Sequence, residues 1–245
     1  MKLFVNSFLI ICFVSIFFSC STQKNKFLNK RYHATTSKYN ILFNGSVYFE
    51  KGIQSIQEKY EDNYWELLPL EPIVFEEKKT TSKDLRLGAG FNDDSDEEKP
   101  KSPFEKAEEK TVKTIQKHGM KIRGKERNNQ IDDAYFLLGK SRYYSQRFIP
   151  AIEAFNYVIA NYPDASLINE TKIWRAKANL RIDNEEFAIE SLKLLLKTDG
   201  IDVIPDNIQE QAYTGLAMAY IQLDSISQAI ASLKKATKTF NNKDQ

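Results

Sequence analysis

The stretch 132–163 constrains the fold most, because small and large apolar residues recur in it at fixed distances. Counted from Asp132, the markers fall at positions 4, 7, 8, 20, 24 and 32: Tyr135, Leu138, Gly139, Ala151, Phe155 and Pro163. Glycine and alanine lack bulk, so two antiparallel helices can approach closely where they cross, and the larger side chains fill the space between them. Proline ends the second helix, because it lacks an amide donor and clashes with the preceding turn. The spacing therefore predicts a helical hairpin.

This pattern resembles the tetratricopeptide repeat, whose period is about 34 residues. It recurs in frames that begin at Asn169 and Glu210, so the three frame starts lie 37 and 41 residues apart. Position 11 departs from the pattern in the first two frames, where Arg142 and Asn179 stand, and the terminal proline is missing from the second and third. We predict an all-α chain in which three tetratricopeptide-type helix pairs over 130–242 stack as a solenoid. An ordinary helical bundle is the alternative.

The N-terminus has the features of an export signal. Lys2 precedes a mostly apolar run over 3–18, which is shorter than the roughly 20 residues of a membrane span. We therefore predict a signal peptide over 1–19. Ser19-Cys20 resembles the bacterial lipobox, which implies that Cys20 is acylated and becomes the new N-terminus; an uncleaved anchor is the alternative. Two or more acyl chains give stable membrane attachment.

Residues 20–34 are predicted to form a basic tether. No aspartate follows Cys20, and by resemblance to sorted lipoproteins this favours the outer membrane over the inner one. No acidic run follows either, so we expect the periplasmic side. The only other cysteine is Cys12, and a disulfide framework or a cysteine zinc site is therefore not expected.

Three further segments precede the repeats. Residues 35–75 are predicted to form a degenerate helical hairpin, punctuated by Gly45 and Gly52, and then an extended aromatic segment, because its two prolines exclude continuous helix. Tyr64 and Trp65 in that segment are candidates for a peptide-binding lip. Residues 76–102 have few apolar groups and predict a disordered acidic linker. Residues 103–125 predict a helix and a basic turn.

Composition and motifs argue against catalysis. The sequence contains no phosphate loop, GxSxG elbow, HExxH or CxxC pattern, and its two histidines, His33 and His118, stand in separate segments. The adjacent acids Asp132 and Asp133 are expected to stabilise a helix N-terminus. The net charge is only +2, and the basic turn lacks interleaved aromatic residues. We predict no enzyme activity, cofactor, metal, small-molecule substrate or nucleic-acid partner.

Protein partners remain, because the first helices of stacked pairs line a concave face. Family positions imply a mixed aromatic and basic groove with these partner-binding candidates: Phe136, Lys140, Tyr143, Tyr144, Lys177 and Arg181. The family form that clamps a terminal carboxylate has lysine and asparagine where this chain has Phe136 and Lys140. A binder of chaperone tails is therefore not expected.

The segments CSTQKN from Cys20, YHATTSKYNILFNG from Tyr32 and DNYWELLPL from Asp62 resemble one lipoprotein family. It comprises the repeat-containing periplasmic lipoproteins of gliding motility and type IX secretion in Bacteroidetes. The resemblance implies a protein that is tethered to the outer membrane and connects secretion or motility machine proteins. Family members are usually much longer, so this chain is expected to match their N-terminal portion. The alternative is a repeat lipoprotein of outer-membrane-protein assembly.

Overall fold

The computed structural model describes residues 22–65, 68–71, 101–197 and 204–241. The predicted signal peptide, Cys20 and nearly all of the predicted acidic linker lie outside these ranges. Most described residues are helical, and the all-α prediction is confirmed. The helices, in chain order, are α1 (Phe27–Thr36), a π-helical stretch (Ser37–Leu42), α2 (Phe43–Lys59), α3 (Pro103–His118), α4 (Ile131–Tyr144), α5 (Phe148–Asn161), α6 (Ile168–Leu180), α7 (Glu185–Leu196), α8 (Asp206–Gln222) and α9 (Ile226–Asn241).

Three helix pairs, α4–α5, α6–α7 and α8–α9, turn in the same way. Each turn contains one residue with a left-handed backbone: Gln146 (φ 61°), Asp183 (φ 57°) and Asp224 (φ 53°). These residues lie 37 and 41 residues apart, the spacing of the sequence frames. The next amide in each turn donates to the carbonyl five residues back, as at a Schellman helix end: Arg147 to Arg142 (2.9 Å), Asn184 to Asn179 (3.1 Å) and Ser225 to Tyr220 (2.8 Å). The repeat is therefore present in the backbone as well as in the sequence.

Close helix approach in the first pair depends on Gly139. A Cβ atom at this position would lie 2.4 Å from Cε1 of Phe155, which no side chain could accept without movement. Phe155 and Ala151 are fully buried. Helix α5 ends two residues before Pro163, as the missing amide donor of proline requires.

The N-terminal region differs from the prediction. Helix α1, the π-helical stretch and α2 follow one another without a break from Phe27 to Lys59, where the sequence indicated a tether to residue 34 and then a hairpin. Gly45 and Gly52 lie inside this helix and are buried. A Cβ on Gly52 would lie 2.6 Å from the ring of Phe104. The glycines therefore permit close packing against neighbouring helices and do not interrupt the chain.

Helix α3 joins this long helix to the repeats. It begins with a capping box between Ser102 and Glu105. Phe104 packs edge-to-face on Phe49 of α2, with ring centroids 5.7 Å apart. Glu108 on α3 forms ion pairs with Arg142 (2.9 Å) and Arg147 (2.8 Å) of the first repeat pair.

The two histidines meet across this junction, although the sequence places them in separate segments. The Nδ1 atoms of His33 and His118 lie 3.0 Å apart, and both side chains are buried. Burial, and secondarily the neighbouring His33, lowers the pKa of His118. Asn128 joins the same two segments, because its side-chain amide donates to Ser37 Oγ (3.0 Å) and to the His118 carbonyl (2.9 Å).

The predicted basic turn forms a short hairpin of two strands, β1 (Lys121–Ile122) and β2 (Lys125–Glu126), with Lys121 opposite Glu126. The Glu126 carboxylate accepts hydrogen bonds from the backbone amides of Met120, Arg127 and Asn128. Across the part of the chain that the structure describes, no helix is long and apolar enough to span a membrane. The same residues contain no cluster of three metal-ligating side chains.

Candidate partner-binding groove

The six predicted partner-binding residues come together along helices α4 and α6. We call this surface the groove, and its residues are Phe136, Lys140, Tyr143, Tyr144, Trp174, Lys177 and Arg181. Sequence reasoning missed Trp174, because position 6 of its frame was not among the family positions considered. The structure places this indole 5.3 Å from the Tyr143 ring and 5.9 Å from the Tyr144 ring, measured between centroids. Trp174 therefore connects the first repeat pair to the second.

Two lysines lie over the Trp174 ring. The ammonium of Lys177 is 4.8 Å from its centroid and that of Lys140 is 5.3 Å away. Lys140 is also 4.6 Å from the Phe49 ring of α2. Such contacts favour a cation electrostatically, since the ring face carries negative charge. Burial nevertheless lowers the pKa of Lys140 below its usual value, against the opposing effect of Glu170 and Glu50.

A carboxylate from the predicted extended segment occupies the groove. Glu71 accepts hydrogen bonds from Tyr143 Oη (2.7 Å), Lys177 Nζ (2.6 Å) and Arg181 Nη2 (2.8 Å). Arg181 Nε also donates to Tyr143 Oη at 2.9 Å, which orients the phenol toward the carboxylate. Glu71 is separated from Arg181 by 110 residues in sequence. No local sequence pattern could indicate this contact, because Glu71 and the residues that bind it lie in different segments of the chain.

The contact is largely shielded from water. The Glu71 side chain is 11% exposed, and those of Lys177 and Arg181 are 13% and 20% exposed. Burial alone would raise the pKa of Glu71, but Lys177, Tyr143 and Arg181 outweigh it and hold the pKa below its usual value. Burial, and then the charge of Glu71, raises the pKa of Tyr143, which stays a donor at neutral pH. The groove thus stabilises an ionised carboxylate.

Tyr143 and Tyr144 are not open to solvent in the way the sequence suggested. Tyr143 is fully buried, and Glu71 meets only its hydroxyl end. Tyr144 stacks on Phe104 of α3 at 5.2 Å and meets Phe49 of α2 edge-to-face at 5.4 Å. The N-terminal helices therefore cover this end of the groove, a contact that a pattern within the repeats could not show.

Tyr64 and Trp65, the candidate lip, precede Glu71 in the same segment. Their side chains are 79% and 97% exposed. Tyr64 Oη donates to the Asp62 carboxylate at 3.2 Å. Both rings are available to a partner, and their role as a lip stays a prediction.

Comparison with known proteins adds little. No family model matches the chain, and no curated protein matches it. Among solved structures, the chain is similar to one described as the crystal structure of MamA. The two share 18% sequence identity with a TM-score of 0.43, over 58% of this chain and 71% of that chain. A similarity at this level carries no functional conclusion.

The groove has the chemistry to bind a carboxylate. A phenol, an ammonium and a guanidinium converge on one carboxylate, and charge-assisted hydrogen bonds of this kind are short and directional. Trp174 supplies an apolar wall beside them. The arrangement can hold an acidic side chain, as it holds that of Glu71.

Proposed function

We propose that the protein is a non-enzymatic scaffold that binds partner proteins through the groove. The observation that supports this most is the bound Glu71. Its segment, 68–71, is not helical, and it meets side chains from two successive repeat pairs. An extended peptide lying across inner helices is a mode of binding that stacked helical repeats make available. Here the chain's own segment occupies the position of such a ligand.

We further propose that the scaffold acts at the periplasmic side of the outer membrane, anchored by acylated Cys20. The lipobox-like Ser19-Cys20 and the serine after it support this location. The motifs at Cys20, Tyr32 and Asp62 support membership in the lipoprotein family of gliding motility and type IX secretion, so the partners would be secretion or motility machine proteins. Assembly of outer-membrane proteins is the alternative, and partner identity decides between them.

Site-specific photocrosslinking in cells tests the groove. A photoreactive phenylalanine analogue at Phe136 should crosslink a protein of the secretion or motility machine. The Lys177→Glu/Arg181→Glu variant should lose the adduct, because the two introduced carboxylates repel a partner carboxylate. The matched control is the same analogue at Glu153, which is exposed on α5. Equal adducts from both positions, or adducts unaffected by the charge reversal, would contradict binding through the groove.

Metabolic labelling tests the anchor separately. A radiolabelled fatty acid should be incorporated into the wild-type protein and not into Cys20→Ala. The Cys12→Ala variant is the matched control and should label normally. If Cys20→Ala labels as strongly as the wild type, the proposed attachment site is wrong.

A further inference from the structure

The long N-terminal helix has two opposite rows of residues. Every fourth residue from 29 to 49 is buried: Asn29, His33, Ser37, Ile41, Gly45 and Phe49. The residues two positions away form an exposed row: Phe27, Arg31, Thr35, Tyr39, Phe43 and Val47. A four-residue row would drift around a regular α-helix of 3.6 residues per turn, and the wider π-helical turns counteract that drift. One side of the helix therefore stays outward from Phe27 to Val47.

Large apolar side chains stand on this outward side. Phe27 is 69% exposed, Leu28 75%, Tyr39 70% and Phe43 61%. Scattered exposed apolar residues are ordinary, but a contiguous set on one helix marks an interaction surface. We call this set, together with the cations beside it, the N-terminal face.

The cations of this face have no acidic counterpart nearby in sequence. Between residues 21 and 49 there are five lysines or arginines and no aspartate or glutamate, and Glu50 is the first acid: the cations are Lys24, Lys26, Lys30, Arg31 and Lys38. None of the five forms an ion pair with any residue that the structure describes. Arg31 lies 5.9 Å from the Phe27 ring centroid and Lys38 lies 5.5 Å from that of Tyr39. Charge and aromatic surface are thus interleaved.

An open cleft joins this face to the basic hairpin. It has a volume of about 440 Å³ and is lined by Lys30, Arg31 and Lys38 from the helix and by Arg127 after β2. Arg127 Nε is shielded from solvent and has no hydrogen-bond partner in the described part of the chain. Glu126, the adjacent acid, is already bound to three backbone amides. Four cationic side chains therefore line one cleft, where they can donate hydrogen bonds to an anion such as a phosphate.

The acid Asp133 opposes part of the positive charge of the cleft. Asp133 interacts with Lys38, and a neighbouring cavity contains both residues. Burial, and then Asp132, raises the pKa of Asp133 to about 6, so this acid is nevertheless mostly ionised at neutral pH. Lys30, Arg31 and Arg127 line the same cleft and supply most of its positive charge.

We propose that the N-terminal face binds the surface of a membrane that contains anionic phospholipid, with headgroup phosphates in the cleft and the exposed row in the interfacial layer. Aromatic residues with lysine and arginine beside them are the composition that favours this layer. Each cation near an anionic surface adds affinity. A nucleic acid would pair with the cations but would leave Leu28, Phe43 and Val47 without an apolar partner. The proposal is independent of the groove and does not require acylation.

The test uses the full chain with Cys12→Ser and Cys20→Ser, so that acylation cannot contribute. An environment-sensitive fluorophore is attached at Val47→Cys, at the far end of the exposed row. Val47 lies about 30 Å along the helix from Phe27, so a signal there reports the whole face and not the apolar run before residue 19. Vesicles contain phosphatidylcholine alone or with one quarter phosphatidylglycerol, with or without a lipid that carries a quencher in its acyl chain.

We expect a blue-shifted emission, quenched by the labelled lipid, on the anionic vesicles only. Lys30→Glu/Arg31→Glu should weaken apparent vesicle binding about tenfold or more. Lys234→Glu/Lys238→Glu on α9 is the matched charge control and should bind as the parent does. A fluorophore at Ser166→Cys should stay unquenched. Equal signals on both vesicle types, or an unaffected Lys30→Glu/Arg31→Glu variant, would overturn the proposal. A shift produced by inorganic phosphate without vesicles would assign the cleft to free phosphate and would also overturn it.

Discussion

Lysine, arginine and aromatic side chains line both the groove and the N-terminal face, but the two surfaces differ in burial. In the groove, Lys177 and Arg181 are largely shielded and share the carboxylate of Glu71. On the N-terminal face, Phe27 and Tyr39 are about 70% exposed and the cations beside them have no nearby acid in sequence. A buried cation requires a specific partner, because an unpaired one is costly. Exposed cations give only general attraction to negative surfaces. Under the two proposals, the same residue types support selective binding in one place and unselective binding in the other.

The largest expected difference between the two surfaces concerns their aromatic residues. Phe155 packs beneath the groove and is fully buried, so Phe155→Ala should lower the free energy of unfolding by about 3–5 kcal/mol. Phe43→Ala on the N-terminal face should change it by less than about 0.5 kcal/mol. Urea denaturation followed by circular dichroism measures both. Similar losses for the two variants would show that the N-terminal face is packed against something in solution.

The next effect concerns the carboxylate. Glu71→Ala removes the shared partner of two shielded cations, and we expect a loss of about 2 kcal/mol. This loss is smaller than the loss expected on breaking a fully buried ion pair, because water can enter the groove and solvate the cations once the segment leaves. Exposed Glu153→Ala is the matched control and should stay within about 0.5 kcal/mol. If the two variants are equally stable, Glu71 does not occupy the groove in solution.

Asp133 lies between the two surfaces and gives a pH-dependent effect. Its pKa is raised from an ordinary value of 3.8 to about 6, first by burial and then by Asp132. A carboxyl group with a raised pKa contributes stability below pH 3.8 and loses it as the pH rises through 6. Asp133→Asn should therefore be more stable than the wild type by about 1 kcal/mol at pH 7, and this gain should vanish below pH 3.8. Exposed Asp164→Asn should show no such difference, and an equal gain at both pH values would contradict the assignment.

The smallest effect tests how the helix that carries the N-terminal face is held. The pKa of His118 is lowered in the folded protein, first by burial and then by His33. A histidine with a lowered pKa contributes stability above its ordinary value of 6.5, and this is lost as the pH falls through the folded pKa. We therefore compare the melting temperature of the wild type with that of His118→Gln at each pH. Relative to the variant, the wild type should melt about 1–2 °C lower below pH 6 than at pH 8. A melting difference that does not change with pH would show that the pair does not titrate with folding.

Sequence predicted the repeats well and their surroundings poorly. Helices α4 and α6 begin one residue before their frames, at Ile131 and Ile168, because each frame is a local pattern of small and large residues. Helix α8 begins four residues before its frame, at Asp206. Arg142 departs from the pattern at position 11, and the structure gives the reason: it forms an ion pair with Glu108 outside the repeats. Asp132 and Asp133 do stand in the first turn of α4, as predicted, but burial raises the pKa of both and so opposes their ionisation.

The sequence predicted the cations of the groove but not the carboxylate that they bind. Lys177 and Arg181 follow from their positions in a repeat, whereas Glu71 lies 106 residues from Lys177 and has no periodic signal. The sequence predicts that Gly45 and Gly52 punctuate a helical hairpin, because glycine has low helix propensity, but both let α2 pack against neighbouring helices. In each case the deciding contact joins segments distant in sequence, and a local pattern does not contain it.

We infer that the groove accepts an extended segment through its carboxylate. A fluorescent peptide with the sequence of residues 62–75 tests it directly, by anisotropy titration against the wild-type protein and Glu71→Ala. We predict that the peptide binds Glu71→Ala at least tenfold more tightly than the wild type, whose own segment competes. The same peptide with glutamine at position 71 should lose that binding, as should the Glu71→Ala protein with Arg181→Glu added. Equal affinity for both proteins, or equal affinity of both peptides, would contradict the account.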